Sequence, residues 1–93
     1  MKNAKELHFP IIHTNGNNGQ VLLEEYQKAM AAAINLRDAF SKIEFHPRDY
    51  YPLGVDQYDN AKAQRLEVMK MLNDIDGYLT GHAINIYDQI NRE

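Results

Sequence analysis

The chain has 93 residues, 10 Lys and Arg against 13 Asp and Glu for a formal charge of -3, and no cysteine. That length holds one domain with a modest core, and an acidic balance without any basic run argues against duplex nucleic acid, whose phosphates reward cationic surfaces. The missing thiols exclude disulfides and thiolate metal sites, while a polar start and no apolar stretch near the roughly 20 residues that cross a bilayer predict a cytoplasmic protein.

Residues 1–6 read as a polar tail. Leu7-His8-Phe9-Pro10-Ile11-Ile12-His13 is apolar, but Pro10 disfavours a helix and pushes Phe9 towards extended geometry. Thr14-Asn15-Gly16-Asn17-Asn18-Gly19 supplies turn and cap residues, with Asn17 or Asn18 as the expected N-cap and Asn17 to Gln20 at capping-box spacing. A first helix is predicted over about residues 19–44. From Gln20 to Glu44 there is no Gly or Pro, and Leu22, Tyr26, Ala29, Ala33, Leu36, Phe40 and Ile43 recur at steps of four and three. A loop over 45–55 follows, broken by Pro47, Pro52 and Gly54.

A second helix is predicted over about residues 56–91, capped by Asp56, with Ala61, Arg65, Val68, Leu72, Ile75, Leu79, His82 and Ile86 as its inward row. Gly77 and Gly81 each cost about 1 kcal/mol against Ala inside a helix, which leaves a kink between them open. The fold class expected is all-α: one domain of two long antiparallel helices in a hairpin, with a short extended N-terminal segment. At 1.5 Å per residue the first helix spans about 37 Å and the second about 52 Å, so the second overhangs. Ala83, Ile84, Ile86, Tyr87 and Ile90 in the overhang must pack on Leu7–Ile12 and on another protomer. Apolar faces wider than one helix pair covers predict a homo-oligomeric bundle.

Catalytic chemistry has little to work with. Ser41 is the one serine and lacks a glycine elbow, and Glu24 and Glu25 fit dipole-favoured first-turn acids better than an acid–base pair. The expectation is a non-enzyme without cofactor or metal, since His8, His13, His46 and His82 lack ligand spacing. Three groups are candidates for ligand binding. His13, Asn15 and Gly16 form a turn whose backbone N–H groups at a helix start suit an anion, or simply a capped turn. Arg48, Asp49, Tyr50 and Tyr51 combine a phosphate clamp with stacking rings; alternatively Arg48 pairs Asp49 and the tyrosines lid the core. Tyr78 and His82 line a pocket near the start of the first helix, unless His82 is a hydrogen-bonded core residue. The two turns lie about 37 Å apart at opposite ends of that helix. A shared pocket therefore requires antiparallel protomers.

His13-x-Asn15-Gly16, Tyr26 in the first helix and Arg48-Asp49-Tyr50-Tyr51-Pro52 together resemble small phage- and prophage-encoded helical proteins, over nearly the whole chain. Many of those read N-G-T-S where this chain has Asn15-Gly16-Asn17-Asn18, so it lacks their hydroxyls there. The resemblance implies an accessory protein of the host-cell cytoplasm that acts by stoichiometric binding. Its sharpest form is an anti-defence oligomer that sequesters a cyclic-nucleotide immune signal. The alternative is a protein-binding inhibitor or assembly factor with no small-molecule ligand.

Overall fold

A computed structural model describes residues 6–13, 16, 18–54 and 56–92. Two helices, α1 (Gly19–Ser41) and α2 (Gln57–Ile90), pack antiparallel as a hairpin, joined through two single 3-10 turns at Pro47–Asp49 and Tyr51–Leu53. Among the described residues there is no strand, and no helix is long and apolar enough to cross a membrane.

The ends of the helices follow local chemistry. Asn18 is the N-cap of α1: its side-chain oxygen accepts from the amides of Gln20 at 2.8 Å and Val21 at 3.2 Å, satisfying two donors the first turn leaves open. The capping box from Asn17 falls outside the described residues. α1 stops at Ser41, short of the expected 44, because the Lys42 and Ile43 amides already turn back to Ala39 and Phe40. The guanidinium of Arg65, reaching across from α2, donates to the carbonyls of Phe40 at 3.4 Å and Ile43 at 3.3 Å. A cation there complements the negative end of the α1 dipole, and α1 has no basic residue of its own in its last turn. Asp56 precedes α2 but makes no capping bond, a correction to its expected role. α2 continues unbroken through Gly77 and Gly81.

The core is small and lies at the end where α1 begins and α2 finishes. Leu23, Ala83 and Ile86 are buried, with Ile12, Leu22, Tyr26 and Met30 packed against them. The inward row of α2 matches the sequence expectation except at Ile75, 47 % exposed. On α1 the expected row holds at Leu22, Tyr26, Ala29, Ala33 and Phe40, all half-buried, and departs at Leu36, 54 % exposed, where Arg37, one position on, turns inward and pairs with Asp76 at 2.9 Å; Ile43, 56 % exposed, lies past the helix end. The overhang does find the N-terminal segment, as its length required. The radius of gyration is 18.7 Å, where a compact chain of this length has about 12 Å.

Candidate functional site

The best-ordered cluster of polar and aromatic groups surrounds His82. Its ring is fully enclosed, stacked on Tyr78 at 4.2 Å and on Tyr26 at 5.2 Å, with Phe9 edge-on at 5.0 Å. Each ring nitrogen lies 3.0 Å from a carbonyl oxygen, Nδ1 from that of Tyr78 and Nε2 from that of His8. A carbonyl only accepts and a neutral imidazole carries one N–H, so the ring donates to one of the two at a time; both nitrogens face backbone and neither is open to a ligand. His82 is thus the hydrogen-bonded core residue of the two sequence alternatives, and it fastens the N-terminal segment to α2. Burial, then the charge of the Tyr78 phenolate and then a hydrogen bond with Tyr78 hold the Tyr26 phenol above its ordinary 10.0.

Gln89, which the sequence did not flag, completes the fastening. Its Oε1 accepts from the Ile12 amide at 2.9 Å, and its Nε2 donates to the Pro10 carbonyl at 3.0 Å and to Asn85 Oδ1 at 2.7 Å. A side-chain amide thereby does what a neighbouring strand would do for an extended, proline-broken segment. The signal was present as polar Asn85 and Gln89 within an apolar overhang. Phe9–Ile12, Asn85, Gln89 and Arg92 enclose an open groove of about 720 Å³ beside this clasp.

The two predicted turns do not come together. His13 and Gly16 sit at the start of α1, where the Gly16 amide donates to the His13 carbonyl at 3.2 Å; Asn15 lies outside the described residues. Arg48, Asp49, Tyr50 and Tyr51 sit beyond the other end of α1. Tyr50 is spent on packing, tilted against Phe45 at 5.5 Å and Tyr58 at 6.2 Å, while the exposed Arg48 and Asp49 form no ion pair with each other among the described contacts. Tyr51 is also exposed. The hollow beside the loop, about 500 Å³, is lined by Tyr50, Leu53 and α2 residues including Gln64 and Glu67, and neither Arg48 nor Tyr51 faces into it. Tyr78 is close to neither turn's polar groups but to His82 and Tyr26.

Part of what remains open is apolar. On α2, Met71, Ile75, Tyr78, His82, Asn85 and Gln89 follow one another at steps of four and three, a single row on the helix surface. The N-terminal segment covers the last three; Met71, Ile75 and Tyr78 are left bare. Leu22, Ala29 and Leu36 run along the same side of α1, and Leu22, Tyr26, Ala29 and Leu79, with Glu25 at the edge, line a shallow groove where the helices meet. Comparison with protein-family models, curated proteins and solved structures returned no match.

Proposed function

We propose that this chain is a stoichiometric binding protein that acts through the open apolar side of its hairpin, with a helical protein surface as its ligand. The observation that carries this is the side formed by Leu22, Ala29, Leu36, Met71, Ile75 and Tyr78, apolar at helical spacing, of which Leu36, Met71, Ile75 and Tyr78 are exposed. Contiguous apolar surface rimmed by polar residues marks interaction sites, and an amphipathic helix is the shape that fills a groove between two helices. The setting would be an accessory protein of the phage type, acting as an inhibitor or assembly factor. Nucleotide sequestration is the second reading, favoured by the exposed Arg48 and Tyr51 standing three positions apart on the connecting loop.

A thermal-shift screen with cyclic dinucleotides separates the two readings. Protein binding expects no change in Tm with any of them. A cyclic dinucleotide that raises the Tm of the wild type but not of Arg48→Ala overturns it in favour of a phosphate clamp.

A further inference from the structure

We infer that the partner seated on this open side is a second copy of the same chain, docked antiparallel about a twofold axis. The inference rests on the protein-binding reading and names the helical surface as that of the chain's own copy, so that a foreign target would meet the dimer elsewhere than on this side.

The first argument is area. The chain exposes 7468 Å², where a compact 10.8 kDa monomer exposes about 5,500 Å². The excess, about 2,000 Å² per chain or about 4,000 Å² for a pair, lies within the roughly 2,000 to 5,000 Å² that obligate dimers bury over both subunits. The second argument is need. Among the described residues three apolar side chains are buried, all at one end of the hairpin, and the long loop-proximal half has none. A chain that requires cover to hold its own helices together requires it wherever it folds, and the surface always present with it is its own copy.

The choice of side follows from the charges. On the opposite flank an apolar hollow of Leu23, Met30, Ala83, Ile84 and Tyr87 gives way, towards the loop, to Arg37, Asp38 and Ser41, and the Arg37–Asp76 ion pair spans the helices. On the open side Leu36, Met71 at 60 %, Ile75 and Tyr78 at 48 % exposure form a bare stretch with Glu25 and Glu67 at its ends, and Ala29, Ala32 and Ala33 let another helix approach closely. The polarity follows from the N-terminal segment. It thickens this side at the α2 C-terminal end, through the clasp of His82 and Gln89. Two copies aligned in parallel would set segment against segment and hold the bare rows apart; antiparallel copies place the segments at opposite outer ends and let the bare rows meet. A twofold makes the contact isologous, so residues near the middle of the side meet their own counterparts.

The test is light scattering on the full chain at micromolar concentration, with substitutions on each flank. The expected result is a mass twice 10.8 kDa. Leu36→Glu or Ile75→Glu shifts it to a monomer, with Met71→Ala as a milder variant that weakens the dimer without inserting a charge, and Ile84→Glu on the opposite flank leaves the dimer whole. Because the chain has no cysteine, Ala32→Cys reports the polarity: oxidation links it between copies, whereas Leu22→Cys, far from the axis, stays reduced. A monomeric wild type overturns the inference and leaves a foreign protein as the ligand, while failure of the protein-binding reading itself would appear separately, as cyclic-dinucleotide binding through Arg48. A dimer lost on Ile84→Glu and kept by Leu36→Glu and Ile75→Glu overturns the choice of side. Equal linkage of both cysteines overturns the antiparallel arrangement.

Discussion

Ile86 and Leu36 show how far a residue's place in a repeat differs from its place in a core. Both fall on steps of four and three, but Ile86 is 0 % and Leu36 54 % exposed. Ile86→Ala is expected to cost roughly 2 to 5 kcal/mol in denaturant unfolding, the range for emptying a buried aliphatic site. Leu36→Ala is expected to cost the hairpin far less and, on the proposed pairing, to weaken the dimer instead. The glycines of α2 make a second contrast. A Cβ at Gly77 meets nothing within 4 Å, so Gly77→Ala is expected to raise stability by about 1 kcal/mol through helix propensity. A Cβ at Gly81 falls 2.5 Å from the Leu7 side chain, so Gly81→Ala gains the same propensity while pushing Leu7 aside. Faster amide exchange at Ile12 in that variant would register the loosened segment. Tyr26 sets an alkaline limit. Its phenol is held above the ordinary 10.0 in the fold, so its contribution is complete below pH 10.0 and is lost as pH rises past it. In pH-dependent melting, Tyr26→Phe should flatten that alkaline decline.

At the scale of elements, the hairpin was legible because hydrophobic period, proline positions and the Asn18 cap all agree. The need for the Leu7–Ile12 segment was legible from the overhang of α2. The departure at Leu36 was not, since Leu36 and Arg37 differ by one position and the pattern weighed apolarity alone; an inward arginine is favoured only once Asp76 stands opposite it. Tyr50 was misplaced for a similar reason: adjacent tyrosines look alike in sequence, but one packs on Phe45 and Tyr58 and its neighbour faces outward. His82 was readable in its structural alternative, and Gln89 was missed because its partners are backbone atoms far away in the chain. Arg65 ties the elements at the other end, with its guanidinium 4.9 Å from the Phe40 ring and 5.1 Å from the Phe45 ring. Arg65→Ala is expected to lower Tm and to speed exchange at the end of α1, because it removes both the carbonyl cap and this stacking. Arg65→Lys should recover little of either, lacking the planar fork.

At the scale of the molecule, a body 61 by 27 by 19 Å with its core at one end resembles half of a structure more than a finished one. The two turns that looked like a divided ligand site sit at opposite ends of α1, and the continuous feature between them is the apolar side. On the proposed pairing of two copies through that side, folding and association become one equilibrium. Thermal unfolding of the full chain across a hundredfold range of concentration, from about 1 to about 100 μM, tests this coupling directly. The account predicts that Tm rises steadily with concentration. A Tm independent of concentration, with the helices intact throughout, would contradict it.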